Sequence, residues 1–494
     1  MTLTHATGTG SATLDDVKQR VTAASQANRD TLYAIGDAIY ADPELGFKEV
    51  HTAERVAAYF DRLGLSYRTN LGITGVKAVL DTGRPGPSVC IMGELDSIIV
   101  FDHPDANPAT GAAHCCGHNC QIAGMLAAAT GIVESGAIEH LSGKLVFLAV
   151  PAEEYVEIDY RSRLKQEGKL EFLGGKSELV ALGEFDDVDI SIMMHSGSQD
   201  RSPAKFTIAG TSNGFIGKLI RYTGHPAHAG GAPDKGVNAL NAAMVGLMSI
   251  HANRETFSDD DSVRVHPIIT RGGDLVNVVP SDVRMETYVR GRSMEAVLRA
   301  ARKVDRALKA GAVAVGAQVE ITTVPGYLPQ INDHALNMVF KANVLRHFTE
   351  RDVNEEHHMA GSTDMGDLAH IMPVIQPSMN GSRGTFHGND YAIADKEISY
   401  LWNGILMAET ALDLLWGDGA TGTEIAANYG APMTKNEYLA FMRGISNSEV
   451  FGDVEVLLAS SPLYRNGERR DRRVIAMVRV SQPGRRDDVP SQAF

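Results

Sequence analysis

Apolar residues recur at intervals of three and four positions in several stretches of the chain, which places them on one face of a helix. This pattern predicts helices over residues 14–41, 50–63 and 119–133. Short apolar runs predict strands between and after them, at 76–80, 89–92 and 145–150. Strands that alternate with helices indicate an α/β domain, in which helices flank a mixed sheet.

The middle of the chain follows a different order of elements. Strands are predicted at 215–222, 264–270, 285–289 and 319–323, and helices at 236–252 and 294–310. The resulting order, β-α-β-β-α-β, is typical of a ferredoxin-like unit. We therefore predict a smaller α+β domain at 205–325, inserted into a discontinuous α/β domain formed by 1–204 and 326–494.

The tail after about residue 417 has a weaker periodic pattern. Its arginine-rich run, 465–473, is more typical of a solvated surface than of a binding patch. The formal net charge of −15 argues against a nucleic-acid partner, because phosphate binding needs clustered Lys and Arg. The first residues have neither the basic segment nor the apolar segment of a signal peptide. No apolar run has the length of a membrane span. We expect a cytoplasmic protein without a membrane partner.

All four cysteines lie within one short region, as Cys90, Cys115, Cys116 and Cys120. In a reducing compartment such clustering indicates metal binding or thiol chemistry rather than a disulfide framework. Cys116 and His118 are separated by one glycine, which allows a tight turn and lets both side chains reach one metal ion. A thiolate with an imidazole suits Zn²⁺ or another late first-row divalent ion.

Further potential ligands stand at the ends of apolar runs or in a glycine-flanked loop. Asp96 follows one predicted strand, Glu153 and Glu154 follow another, and His195 ends a third apolar segment. His387 lies between glycines. Two adjacent acids are costly to bury without partners or a metal. Because they point in different directions, one can bind metal while the other stays free as a base. Together these residues supply enough ligands for one metal or a close pair.

These motifs resemble the M20 family of metallopeptidases and amidohydrolases. The most similar subgroup contains aminobenzoyl-glutamate hydrolases, hippurate hydrolases and indole-acetyl-amino-acid hydrolases. The resemblance runs from residue 42 to about 416. It rests on DPELGF (42–47), GELD (93–96), HCCGHN (114–119), PAEE (151–154), MMH (193–195), GHPAHAG (224–230), NVVP (277–280), GSTDMGD (361–367) and GTFHGND (384–390).

The resemblance implies a two-metal site with a shared ligand. Cys116 corresponds to the thiolate that bridges the two metals. Glu154 and His387 complete one metal site, and His118 and His195 complete the other. Family members commonly have alanine where this chain has Cys115, and Cys120 is also unusual, which leaves the identity and the number of the metals open.

The resemblance also implies roles around the metals. Glu153 matches the general base, and Asp96 matches the acid that orients a ligand or supports the site. The inserted domain resembles the family's lid, which often mediates dimerisation. His228 matches the lid histidine that reaches the scissile carbonyl, frequently from the neighbouring subunit. Asn277 and Arg290 fall where the lid contacts substrate. A homodimer or a higher homo-oligomer is therefore expected.

The predicted function is hydrolysis of an amide C–N bond in a small molecule. Expected substrates are an N-acyl amino acid, aminobenzoyl-glutamate or a related aromatic amide, with one or two Zn²⁺, Mn²⁺, Ni²⁺ or Co²⁺ ions per subunit. Deamination of an aromatic amine, or cleavage of a carbamoyl or urea group, is an alternative on the same scaffold. A hydrolase with Cys116 or Cys120 as nucleophile and a non-catalytic thiol or metal sensor are alternatives of other classes.

Overall fold

A computed structural model describes residues 12–454, which divide into two units. The first unit contains residues 12–215 and 325–443, and the second contains residues 216–324 and 444–454. The arginine-rich run at 465–473 lies outside the described residues. None of the described helices combines the length and the apolar character that crossing a membrane requires.

The described helices are numbered in chain order. They are α1 Leu14–Ala27, α2 Arg29–Tyr40, α3 Val50–Arg62, α4 His118–Glu134, α5 Ile158–Gln166, α6 Gly175–Ala181, α7 Ala239–Ala252, α8 Met294–Val315, α9 His334–His347, α10 Met365–Ala369, α11 Asn403–Leu415, α12 Ala420–Asn428 and α13 Lys435–Ile445. A π-helical turn, Glu397–Trp402, leads into α11.

The strands are numbered in the same way. They are β1 Tyr67–Leu71, β2 Gly75–Asp81, β3 Ser88–Glu94, β4 Ile98–Ile99, β5 Ala112–Ala113, β6 Lys144–Val150, β7 Ile190–Ile192, β8 His195–Ser198, β9 Phe206–Ser212, β10 Gly214–Thr223, β11 Arg264–Val265, β12 Ile268–Arg271, β13 Asp282–Gly291, β14 Gln318–Pro325, β15 Val353–Met359, β16 Val374–Ile375, β17 Ser378–Arg383, β18 Ala392–Ile393 and β19 Asn447–Phe451.

The first unit is built on a mixed six-stranded sheet, as predicted from the alternating pattern. Its strand order is β1-β2-β6-β3-β7-β16. β1, β2 and β6 pair antiparallel, whereas β6, β3, β7 and β16 pair parallel. Helix α4 is buried along nearly its whole length between β3 and the helices α1, α2 and α11. A helix that is apolar on all sides needs such complete cover.

The amino-terminal amphipathic stretch was expected to form one helix over 14–41, and this expectation was wrong. Thr13 caps α1 through a capping box with Asp16, and the helix ends at Asn28 before α2 begins. Asn28 has φ −97° and ψ 10°, and its side-chain amide donates to the Ala24 carbonyl at 3.0 Å. Asparagine competes in this way with the main-chain hydrogen bonds of a helix, so the apolar stripe continues across a break.

A second sheet of the first unit has the order β15-β9-β17-β18, with β8 also paired to β17. β8 and β17 run parallel, with His195 opposite Ser378. The sheet therefore fixes the first residue of β8, the predicted ligand His195, directly after the apolar segment that contains β7. The loop that carries His387 lies between β17 and β18.

The second unit has the predicted β-α-β-β-α-β order, with α7 and α8 between its strands. Its strand order is β11-β13-β10-β14-β19, and β12 also pairs with β13. The strand expected at 264–270 is two short strands, interrupted around Pro267. Proline has no amide hydrogen to donate to a sheet, which accounts for the interruption.

The carboxyl-terminal tail differs from the expected domain limits. We expected 326–494 to belong entirely to the catalytic domain, but β19 pairs antiparallel with β14, with Val319 opposite Phe451. The described part of the tail thus contributes α12 and most of α13 to the first unit and β19 to the second. Because β19 extends the sheet of the second unit, the tail as far as residue 454 contributes to the folds of both units.

Candidate metal centre

Potential ligands meet at one edge of the six-stranded sheet. β3, β6 and β7 run parallel, so their carboxyl ends lie at the same edge. Glu94 ends β3, Glu153 and Glu154 follow β6, and His195 follows β7. This edge is where open α/β sheets bind their ligands.

Gly117 makes the turn that separates Cys116 from His118 possible. It precedes α4 with φ 82°, a left-handed conformation that glycine adopts without strain. A side chain at this position would also collide with Ser196 and with the Tyr391 hydroxyl. Glycine therefore allows the two ligands to approach the same point from either side of the turn.

The first group of potential ligands contains Cys116, His118 and His195. Their ligand atoms all lie within 4.8 Å of one another, and Cys116 Sγ is 3.4 Å from His195 Nε2. The other ring nitrogen of His195, Nδ1, is 2.8 Å from the Ser196 carbonyl, to which it can donate. That hydrogen bond leaves Nε2 as the nitrogen with a free lone pair.

The second group contains Cys116, Glu154 and His387, again with ligand atoms within 4.8 Å of one another. His387 Nε2 lies 3.1 Å from Glu154 Oε1. The main-chain amide of His387 donates to the Cys115 carbonyl at 3.0 Å, and φ at His387 is +61°. The structure thus brings all five predicted metal ligands together, and Cys116 is common to both groups. Their binding of metal stays a prediction.

Asp96 makes hydrogen-bond contacts with one residue of each group, His118 and Glu154. It is completely buried, and its Oδ1 is 3.1 Å from His118 Nδ1. Its Oδ2 accepts a hydrogen bond from the Glu154 amide at 2.8 Å. With Nδ1 of His118 bound to the carboxylate, Nε2 is left facing the ligand groups, as expected for an orienting acid.

Glu153 lies beside these two groups, in a third group of potential ligands with Glu94 and His118. Its Oε2 is 3.8 Å from His118 Nε2. Burial raises the pKa of Glu153 well above its usual value, and the charges of Glu94 and Glu154 raise it further. A carboxylate with a raised pKa holds a proton more readily, which is the property a general base needs.

The side chains fit a divalent metal ion. His118 Nε2 and Glu154 Oε1 are buried, and the polar atoms beside them, Glu94 Oε2 at 3.2 Å and His387 Nε2 at 3.1 Å, belong to potential ligands themselves. Burial and the charge of Glu154 raise the pKa of Cys116, but His195 and His118 outweigh them and bring it to about 6. A thiolate, imidazoles and a carboxylate form a donor set typical of Zn²⁺ and other first-row ions.

The remaining thiols lie outside both ligand groups. Cys90, Cys115 and Cys120 are buried and free. Burial raises the pKa of Cys115 to about 12, and it also raises the pKa of Cys120. Since the thiolate is the reactive form, these environments disfavour Cys120 as a nucleophile.

Sequence reasoning did not select Glu94, although it lies in the GELD motif. Glu94 Oε2 is 3.2 Å from His118 Nε2, and Glu94 Oε1 is 2.5 Å from Lys176 Nζ. Lys176 also pairs with Asp364, and all three side chains are buried. An acid at the end of a strand that is otherwise apolar was the available signal, because such a charge requires a partner.

The three predicted residues of the inserted domain belong to the second unit. His228 is exposed, and its Nδ1 accepts hydrogen bonds from the amides of Gly230 and Gly231 at 3.2 and 2.9 Å. Asn277 is exposed, and the Arg290 guanidinium lies over the Tyr288 ring at 5.4 Å. The parts these residues play in catalysis or binding stay predictions.

One edge of a mixed α/β sheet thus brings together potential metal ligands in two groups that share Cys116, a set that suits a metal-dependent hydrolase. Residues 211–315 match the model of a peptidase dimerisation domain of the M20 type. The chain is 27% identical over 428 residues to the Xaa-Arg dipeptidase of Mus musculus, covering 83% of this chain and 91% of that protein. It is 30% identical over 237 residues to one subunit of the p-aminobenzoyl-glutamate hydrolase of Escherichia coli, covering 45% of this chain and 48% of that subunit.

The fold also matches a solved structure. A dinuclear metal binding peptidase of the M20 family from Bacillus subtilis superposes with a TM-score of 0.58 at 19% identity, covering 79% of this chain and 99% of that one. The relatives and the structural neighbours of the chain are thus M20-type hydrolases and peptidases, and its second unit matches their dimerisation domain. The resemblance inferred from the motifs is thereby confirmed.

Proposed function

We propose that this enzyme hydrolyses an amide C–N bond in a small molecule, using two divalent ions held on either side of Cys116. The observation that carries the proposal is the shared thiol, which stands with His118 and His195 in one ligand group and with Glu154 and His387 in the other. A ligand common to two groups suits a close pair of ions, the arrangement of many hydrolases that activate water.

A divalent ion bound here supplies Lewis acidity, which polarises a carbonyl oxygen and makes water more acidic. The chain then moves the proton. Glu153, which lies outside both groups with Cys116, takes the proton from the attacking water and delivers it to the leaving nitrogen. Asp96 keeps His118 in the tautomer that presents Nε2. General-base catalysis of this kind contributes about 10²–10⁴ in rate.

The second unit is proposed to supply the polar contacts to substrate. Hydrogen bonds from Gly230 and Gly231 to His228 Nδ1 favour the tautomer with its proton on Nε2, so neutral His228 can donate to a developing oxyanion. Asn277 and Arg290 are proposed to bind the substrate's polar end. Arginine recognises a carboxylate well because its guanidinium presents two parallel donors.

The named relatives support N-acyl amino acids, dipeptides and aminobenzoyl-glutamate as the substrates to test. These compounds share a secondary amide next to an α-carboxylate, although their acyl groups differ. We propose this shared portion as the recognised part. Zn²⁺, Mn²⁺, Co²⁺ and Ni²⁺ all suit the donor set, so metal identity is part of the same screen.

A homodimer is proposed through the second unit. Met244 and Met248 are four residues apart on α7, and both are exposed. Ile268 and Ile269 on β12 are exposed as well. Such apolar surface on a domain that matches a peptidase dimerisation domain suits contact with a second copy. A cytoplasmic location accords with four free thiols.

Glu153→Gln tests the proposal, because it keeps the shape of the side chain and removes its basicity. We expect kcat to fall at least about 100-fold, while the bound metal measured by elemental analysis stays at the wild-type level. Glu139→Gln, outside the site, is the matched control and should behave as wild type. Wild-type turnover by Glu153→Gln would contradict the assignment. Release of ammonia or carbon dioxide, instead of an amino acid, would favour the deaminase or carbamoyl alternative.

A further inference from the structure

The segment that carries Glu153 and Glu154 is followed by α5, which contains a fully buried arginine. Arg161 is 0% exposed, and no carboxylate of the described chain lies within 4.0 Å of its guanidinium. A buried cation without an ion-pair partner costs considerable free energy unless its donors are otherwise satisfied. The hydrogen bonds of Arg161 therefore indicate what the fold gains by burying it.

The guanidinium of Arg161 is directed at main-chain carbonyls. Nη1 donates to the carbonyls of Leu173 at 2.7 Å and Ala152 at 3.4 Å, and Nη2 donates to the carbonyl of Glu154. The rings of Phe47 and Tyr155 lie 5.2 and 5.9 Å from its central carbon. One planar group thus bridges the carbonyls on either side of Glu153 and is enclosed by aromatic rings.

The carbonyl of Glu153 itself is bound by a second buried side chain. The Tyr327 hydroxyl donates to it, and Tyr327 is 3% exposed. The amide of Ala152 donates to Glu49 at 2.8 Å. Three consecutive carbonyls, at 152, 153 and 154, therefore accept hydrogen bonds from buried side chains of other segments.

The main-chain conformation of residues 152–154 is unfavourable without these hydrogen bonds. Ala152 has φ +51°, in the left-handed region. This conformation costs about 1–2 kcal/mol for a residue with a side chain. It places Glu154 beside His387 and leaves Glu153 beside His118. A relaxed main chain at Ala152 would reorient both carboxylates.

We propose that Arg161 is a positioning residue: its guanidinium holds the main chain of residues 152–154 so that the two adjacent acids diverge into their separate roles. This proposal rests on the proposed functions of Glu153 and Glu154. Lysine cannot replace the guanidinium, because a single ammonium group lacks the planar fork that spans two carbonyls. An apolar replacement removes the side-chain donor that joins these carbonyls and leaves only the main-chain amides of Gly175 and Val156 to donate to Ala152 and Glu154.

The test compares Arg161→Lys with Leu164→Ala, a control on the same helix. Leu164 is buried in the cluster with Phe47 and Ala152, and the described structure gives its side chain no polar contact with the segment. For Arg161→Lys we expect kcat to fall about 10–100-fold, KM to change little, and the metal dissociation constant measured by titration of the metal-free protein to rise by a similar factor. Leu164→Ala should lower the melting temperature and leave kcat and metal affinity unchanged.

Tyr327→Phe provides a second variant that removes one hydroxyl and little packing. We expect a lower kcat with unchanged KM and unchanged metal content, because only the carbonyl of Glu153 loses its donor. Wild-type kcat and metal affinity in Arg161→Lys, or wild-type kcat in Tyr327→Phe, would overturn the positioning role. Full activity of Glu153→Gln would instead overturn the proposed function, so the two failures are distinguishable.

Discussion

Asp96 and His118 meet through Oδ1 and Nδ1 at 3.1 Å, and the main-chain carbonyl of Asp96 lies 2.9 Å from the same nitrogen. The other carboxylate oxygen of Asp96 accepts from the Glu154 amide. A single buried acid thus contacts one member of each of the two groups of potential ligands. Each of the two carboxylate oxygens of Asp96 therefore has to accept a hydrogen bond.

Asp96→Asn should therefore weaken metal binding in either orientation of the amide. Both neighbours of the carboxylate, His118 Nδ1 and the Glu154 amide, are donors, and an asparagine can accept from only one of them. We expect metal affinity to fall about 10–100-fold, measured by calorimetric titration. Asp15→Asn, at an exposed ion pair with Arg346, is the control. Unchanged affinity in Asp96→Asn would refute the orienting role.

Lys176 supplies a positive charge to two buried acids. It lies between Glu94 and Asp364, and all three side chains are at most 1% exposed. Lys176→Met would leave both carboxylates without this charge, with an expected loss of about 3–5 kcal/mol in the free energy of unfolding. Urea denaturation measures it. Lys396→Met, at a half-exposed pair with Asp37, is the control and should cost about 0–1 kcal/mol in the free energy of unfolding. Equal losses in the two variants would show that Lys176 does not stabilise the buried acids.

His370 is expected to make stability depend on pH. Burial lowers its pKa, while its Nδ1 donates to the Gly366 carbonyl at 2.8 Å. The unfolded chain, with a pKa of about 6.5, then binds more protons than the folded chain below that pH. This contribution is fully present above pH 6.5 and is lost as the pH falls through the lowered folded pKa.

His370→Gln should therefore flatten the pH dependence of the unfolding free energy below pH 6.5. One proton corresponds to a slope of about 1.4 kcal/mol per pH unit, which is the upper limit of the difference. Above pH 6.5 the variant and the wild type should show the same slope, which provides the internal control. A wild-type slope in His370→Gln would show that His370 is not responsible.

Tyr438 tests whether the tail beyond residue 417 belongs to the catalytic fold. It lies on α13 and is completely buried. Tyr438→Ala is expected to cost about 3–5 kcal/mol, by analogy with other large-to-small aromatic changes in cores. Lys435→Ala, whose ion pair with Asp186 is partly exposed, should change stability by less than about 0.5 kcal/mol. A similarly small loss for Tyr438→Ala would show that α13 is dispensable.

Much of the fold could be predicted because its pattern is local. The alternating apolar runs of the first unit and the β-α-β-β-α-β order of the second are both read within short windows. The break at Asn28 was missed because the apolar stripe continues across it. β19 was missed because its pairing with β14 joins segments that are remote in sequence, and no local pattern reports such a pairing.

The residues of the site divide in the same way, into those that a local motif predicts and those that only contacts in the fold identify. Cys116, His118, Glu153 and Glu154 stand in compact motifs, where unusual neighbours at the end of an apolar run indicate chemistry. The supporting residues are identified only by contact. Lys176 reaches Glu94 across 82 positions of sequence, and a lone lysine in a helix carries no sign of such a partner.

Cys116 is proposed to be the ligand that two ions share. The most direct measurement is titration of the metal-free protein with Co²⁺, following the thiolate-to-metal absorption band and the number of ions bound. We expect two ions per subunit and a thiolate band in the wild type, and we expect Cys116→Ser to bind both ions more weakly and to lose the band. Cys120→Ser, which changes a buried thiol outside the ligand groups, should titrate as wild type. Two ions bound with unchanged affinity by Cys116→Ser would contradict the account.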